Sequence, residues 1–263
     1  MWEGVKKMNS LLRHELFKLC HRKLTWWIIS LLFLFMLLMG IAMRNDYHDL
    51  LIMTCFNSSI VIMLFLIIVG STIFSMEFQN RTILSVIYRS NSRLEVFVAK
   101  FITLFIYNLF LHFVAIVFTI FFSLTPIMSK PVSWSSIYQY HQALWINMLT
   151  TTGIDIISST LIISLICLTS CIINSNAWVI VVNGIIIFMG AGFSSNLLMA
   201  KVITSSVIRW NPFNMLNLTQ QYYNYGSYYP VTLLSNNQLL LGTICYSILF
   251  IICGYYAFKH KKF

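Results

Sequence analysis

Six long, predominantly apolar runs, at residues 24–43, 53–74, 96–123, 144–173, 177–193 and 239–258, leave this chain few ways to fold. An α-helix needs about 20 such residues to cross the roughly 30 Å of hydrocarbon in a bilayer. A water-soluble globule of 263 residues could not hide them, because 59% of the chain is hydrophobic, 9% is charged and the mean hydropathy is +0.80. In lipid the backbone must satisfy its own hydrogen bonds, so these runs are expected to be helices in an all-α, polytopic bundle. No internal repeat or low-complexity linker divides it, and residues 1–263 read as one membrane domain. The third and fourth runs are long enough to tilt. The fifth, about 17 residues with Gly184, Gly190 and Gly192, is expected to be broken or only partly spanning.

Basic residues orient the bundle, since Lys and Arg beside a span resist translocation. Lys6, Lys7, Arg13, Lys18, Arg22 and Lys23 precede the first run, Arg81, Arg89, Arg93 and Lys100 separate the second from the third, and Lys259, Lys261 and Lys262 follow the sixth. Only Arg44, Lys130, Lys201 and Arg209 fall on the other side. Both termini are therefore predicted to be cytoplasmic, and the net charge of +10 reflects topology and attraction to anionic lipid rather than nucleic-acid binding. The first run lacks a small-residue cleavage site and is expected to stay in the membrane. The six cysteines fall mostly within or against the runs and read as small apolar residues. Cys167 and Cys171 share a helix face but lack the further ligands a metal needs.

Residues 9–23, NSLLRHELFKLCHRK, place Leu12, Leu16 and Leu19 on one helical stripe among basic residues, a segment suited to lie along the inner membrane surface. Trp26 and Trp27 follow at headgroup level. Between the second and third runs, Ser92 and Glu95 have capping-box spacing, so Ser92 should start the third span. Residues 78–89 before it should form a short helix, with Ile83, Val86 and Ile87 on one side. Residues 194–238 are expected to form short helices that dip into the outer leaflet, or an aromatic cap.

Asp155 is the acidic residue inside an apolar run, and a carboxyl at that depth is costly. Two readings stand: a group on a substrate or ion pathway, or a side chain solvated by Thr150, Thr151, Thr152, Ser158 and Ser159. His112 lacks a partner for metal or haem chemistry and reads as a hydrogen-bonded packing residue. No G-x-x-x-x-G-K-[ST] loop occurs, so the chain cannot cradle ATP in that manner. Paired catalytic side chains at membrane depth are also missing, which disfavours an intramembrane enzyme.

The segment around residues 76–100 resembles the loop between the second and third spans of type-2 ATP-binding-cassette (ABC) exporter permeases. Glu77, Thr82, Ser92-Arg93 and Lys100 stand at that pattern's offsets, with Arg81 where Gly is usual and Ser90 where Pro is usual. Glu15-Leu-Phe-Lys18 followed by Arg22-Lys23 is similar to the amphipathic elbow helix of the bacteriocin-immunity, bacitracin-resistance and amphipathic-peptide export branch. Asn211-Pro212-Phe213 is similar too. The resemblance implies a permease subunit, not an enzyme, in a bacterial plasma membrane. It would pair with a second permease, identical or paralogous, on two ATPase subunits that bind the ATP and Mg. The loop helix would fit a groove on the ATPase as a coupling helix. Glu77, Arg81, Thr82, Ile83, Val86, Ile87, Arg89 and Arg93 are its expected contacts, arginine being suited to bidentate pairing with carboxylates. The cargo would be amphipathic or antimicrobial or toxic peptides, or similar lipid-associated compounds. A sensor or scaffold coupled to an ATPase is the main alternative.

Overall fold

The apolar runs fold as helices around two central elements. A computed structural model describes residues 2–43, 47–80, 82–90, 92–125, 130–199 and 206–261. The spans are α2 (Lys23–Met43), a second crossing made of α3 (His48–Met53) and α4 (Ser58–Gln79), α6 (Arg93–Ser123), α7 (Leu144–Ile172), α8 (Asn176–Met199) and α11 (Asn236–His260). Helix α1 (Trp2–Cys20) precedes them, and α5 (Ile83–Arg89) sits between the second and third. Helices α9 (Leu218–Tyr223) and α10 (Tyr225–Thr232) lie before the last, after 3₁₀ turns at Ser206–Trp210 and Asn214–Asn217. Among the described residues there is no strand, only an isolated bridge between Ile137 and Ala143.

Helices α4 and α7 are buried on most of their circumference and form the centre, whereas α2, α8 and α11 turn most of their surface outward. Trp26, Trp27, Leu31, Leu34 and Leu38 on α2, and Ile185, Phe188, Met189 and Phe193 on α8, are exposed. Such a surface would drive association in water but is at rest against lipid tails. Close approach at the centre is permitted by two glycines. A Cβ on Gly70 of α4 would lie 3.1 Å from Ile166 of α7, and one on Gly254 of α11 would lie 3.3 Å from the Leu168 backbone of α7.

The sequence places several boundaries well and others not. Ser92 caps α6 through its hydroxyl, which accepts from the Glu95 N–H, as the spacing predicts, whereas α11 begins three residues before the run at 239, in a full capping box of Ser235 with Gln238. The surface segment ends at Cys20 rather than residue 23, because the chain turns at His21-Arg22 and Lys23 already begins α2. The short helix expected at 78–89 is Ile83–Arg89, since α4 runs on to Gln79 and takes Phe78 with it. The fifth span is neither short nor broken: α8 is a continuous 24 residues. Its glycines do not interrupt hydrogen bonding within the helix; Gly184 and Gly192 face open space, where lipid tolerates them.

The second span is interrupted instead. Cys55, Phe56 and Asn57 all have positive φ, between 47° and 56°, and separate α3 from α4. Three consecutive non-glycine residues in the left-handed region are costly and persist only where surrounding packing imposes them. Phe56 is fully buried against Phe122, with ring centroids 5.4 Å apart, and supplies that packing.

Candidate functional site

At the end of the bundle where α1, α5 and the last turn of α11 gather, the chain holds a buried cluster of alternating charge. Glu15 and Lys18 sit one turn apart on α1, Glu77 lies in the last turn of α4, and Lys100 lies two turns into α6. The Lys18 ammonium is 2.8 Å from Glu15 Oε1 and 2.9 Å from Glu77 Oε1. Lys100 Nζ completes the ring at 3.3 Å from Glu15 Oε2 and 2.8 Å from Glu77 Oε2, and donates to the Ile73 carbonyl at 3.1 Å. Lys100 is fully buried and Glu15 nearly so. Two anions and two cations sum to zero, which keeps the desolvation cost tolerable; any one removed leaves its neighbours uncompensated. Burial pulls the Lys18 ammonium down, but the hydrogen bonds and charges of Glu15 and Glu77 outweigh it and hold it above its ordinary value.

Neighbouring contacts extend the clasp. Arg22 donates to the Thr72 hydroxyl at 2.8 Å, tying the turn after α1 to α4. Arg93 donates to the Lys259 and Lys261 carbonyls at 2.6 and 3.2 Å, joining the start of α6 to the end of α11. Lys261 in turn donates to the Cys171 carbonyl at the end of α7 and stands 4.1 Å from the centre of the Phe78 ring.

Helix α5 hangs from this assembly with a definite orientation. Ile83 is fully buried and Val86 and Ile87 pack against the same core, while Thr82, Ser85 and Tyr88 point away, Tyr88 being 85% exposed. The apolar side of the helix that the sequence offers as a partner surface is thus used within the chain. Glu77 and Arg93 are likewise engaged within the chain. Arg81 and the Arg89 side chain lie outside the described residues. Lys23 is exposed and takes no part in the clasp.

The profile of the ABC-2 family transporter protein matches residues 11–190, from α1 through most of α8. The chain belongs to the ABC-2 transporter family. No curated protein matches it. As an ABC-2 permease it is a multi-pass membrane component of a transporter, and the family implies an ABC ATPase as its source of energy. The matched region contains the whole clasp, α5 and Asp155.

Asp155 lies near the middle of the permease. It is buried, and among the described residues its Oδ1 has no hydrogen-bond partner. Three of the five hydroxyls expected to solvate it are spent elsewhere: Thr150, Thr152 and Ser159 donate to carbonyls of their own helix. Its polar neighbours come from other elements instead. Thr219 of α9 stands beside it and donates its hydroxyl proton to Ser158 at 3.0 Å. Cys55 of the broken second span, 3.6 Å from the Thr152 hydroxyl, is also close. Ser158 is about 21 Å from either end of α7 at 1.5 Å per residue, so α9 reaches the depth of the helix midpoint. Asn214, Asn217, Gln221 and Thr232 satisfy one another and nearby carbonyls there, as non-spanning backbone inside a bundle must be. His112 Nδ1 is bonded to the Asn108 carbonyl at 2.9 Å, a packing role. All six cysteines are free.

The clasp was only half visible in the sequence. Glu15, Lys18, Glu77 and Lys100 all carry the resemblance, but as separate pattern positions on three segments, and nothing in it pairs them. The signal that could have paired them is a lysine inside an apolar run, which needs an acid at its own depth.

Proposed function

We propose that this permease exports amphipathic or lipid-associated compounds, antimicrobial or toxic peptides among them, across a bacterial plasma membrane. It would act beside a second permease subunit, identical or paralogous, with both termini cytoplasmic and a separate ATPase dimer, loaded with ATP and Mg, docked on α5. The observation that supports this reading best is the clasp of Glu15, Lys18, Glu77 and Lys100. A displacement applied at α5 reaches the end of α4, whose last turn carries Glu77, after three residues of chain and is handed to α1 and α6 through ion pairs rather than through loose loops. The surface offered to the ATPase is then the outward side of α5, Thr82, Ser85 and Tyr88, with the apolar side of Ile83, Val86 and Ile87 anchoring the helix to the permease.

Asp155, beside a broken span and an inserted segment, is the group on this reading that meets cationic cargo, an electrostatic attraction that low dielectric strengthens. The test is reconstitution. The chain should co-purify with an ATPase, amphipathic cationic peptides should stimulate that ATPase in proteoliposomes, and inverted vesicles should accumulate the peptide. An ATPase partner with stimulation but no flux would make the complex a sensor instead.

A further inference from the structure

On the outer flank of the same end, two cavities meet at one tryptophan. The first, about 270 Å³, lies between α1, α2 and α6 and is lined by Leu16, Leu19, Thr25, Trp26, Ile106 and Phe110. Its walls offer almost no polar surface: the Thr25 hydroxyl donates to the Leu19 carbonyl and the Trp26 indole N–H to the Cys20 carbonyl, so both polar groups are already spent. The second, a shallow open hollow of about 290 Å³, runs along one face of α2 through Lys23, Trp26, Trp27 and Ser30, positions one helical turn apart. Trp26 lines both. An ammonium therefore stands at the membrane surface, two indoles below it at the level of glycerol, and an apolar chamber beside them under the amphipathic helix.

Charge decides the occupant. Glu15, the acidic side chain of α1 beside this chamber, is consumed by Lys18 and Lys100. Lys23 is the charged side chain that lines the second hollow, and it is exposed; Arg13, one turn before Leu16 on α1, is exposed too, so the charge beside these apolar walls is positive. We infer that the two cavities are a binding site for one anionic glycerophospholipid, its phosphate on Lys23, its glycerol against Trp26 and Trp27, and one acyl chain in the chamber under α1. Such a lipid would fill the wedge between α1 and α6 and hold the surface helix on the bundle. The inference depends on the membrane setting and not on what the permease exports.

The experiment is native mass spectrometry of the purified full-length chain after delipidation, titrated with phosphatidylglycerol or phosphatidylcholine of equal chain length. Phosphatidylglycerol should be retained at one molecule per chain, and at about fivefold higher affinity than phosphatidylcholine, the effect of one lysine at an anionic surface. Lys23→Gln, a change at an exposed position, should erase that preference. Ile106→Trp, which fills the chamber, should weaken both lipids, with helicity by circular dichroism confirming the fold. Equal affinity for the two lipids, unchanged binding in both variants, or displacement of the lipid by soluble glycerol 3-phosphate would each overturn the assignment.

Discussion

Lys100 Nζ, without solvent exposure, lies 2.8 Å from Glu77 Oε2. The same ammonium reaches Glu15, 85 residues earlier in the chain. One side chain on α6 therefore joins the surface helix to the end of the second span, and the short helix α5 begins four residues after that end. A bundle that only needed stability would bury a methionine there, because desolvating four charges consumes most of what their attraction returns. What the ionic arrangement adds is a fixed register among three elements.

Lys100→Met should therefore destabilise the permease strongly, by about 3–5 kcal/mol, because Glu15 and Glu77 would face each other with only Lys18 between them. Adding Glu77→Gln should recover part of the loss by removing the uncompensated charge. Thermal unfolding of the four members of this cycle in detergent measures it, and strict additivity of the two changes would show that Lys100 and Glu77 do not act together.

The clasp should also loosen in alkali. The folded permease holds Lys18 above its ordinary value of 10.5, against the pull of burial, through the hydrogen bonds and charges of Glu15 and Glu77. A raised ammonium contributes stability that is fully present below pH 10.5 and is lost as pH climbs through the higher folded value. Attachment of α1, followed by a fluorophore at exposed Cys20, should weaken above that pH in the native chain. In Lys18→Gln the dependence should vanish. Lys18 is half exposed, so the slope should be shallow and should shrink with added salt.

How much of this was legible beforehand follows from which forces are local. Apolar runs are read by length, so the six spans and their helical nature were visible, and so was the cap at Ser92, which needs only a neighbour three residues away. Residues Cys55–Asn57 gave no turn signal: no glycine or proline marks the break, and its cause is the packing of Phe56 on Phe122 from another span. The orientation of α5 was equally hidden. Periodicity grouped Ile83, Val86 and Ile87 on one side but could not say whether that side met this chain or another, and burial of Ile83 settles it. Thr150, Thr152 and Ser159 near Asp155 were hard to read for a related reason, since a hydroxyl on a membrane helix usually finds the carbonyl four residues back before it finds a neighbour.

The two sides of α5 should separate cleanly by mutation. Ile83→Ala opens a void in the core and should cost about 2–5 kcal/mol. Tyr88→Ala removes an exposed ring and should leave stability within about 0.5 kcal/mol while weakening association with the ATPase. Thermal melts and pull-down of the ATPase distinguish the outcomes; full ATPase binding by Tyr88→Ala would exclude that side chain as a contact.

Gly254 should tolerate little. An alanine there must displace the Leu168 backbone or the Phe97 ring by a few tenths of an ångström, and leucine must part α11 from α7. Overpacking of this kind costs about 1–3 kcal/mol, so the melting temperature should fall in the order Gly, Ala, Leu. Because Arg93 holds the end of α11, the leucine variant should also expose the Arg93–Lys259 contact to proteolysis near the C-terminus.

Asp155→Asn tests whether charge or shape matters at the centre. Asparagine preserves volume and costs Oδ1 no hydrogen bond, since among the described residues it has none, so the fold should survive with stability changed by no more than about 1 kcal/mol. If the carboxylate meets a cationic group of the cargo, stimulation of the ATPase by cationic peptide should require about tenfold more peptide, the value of one charge-assisted hydrogen bond. Stimulation by uncharged amphiphiles should be unchanged, because their contacts are apolar. A variant that responds to both cargo classes as the native permease does would reduce Asp155 to a buried packing residue, and would shift attention to the strained residues Cys55, Phe56 and Asn57 beside it.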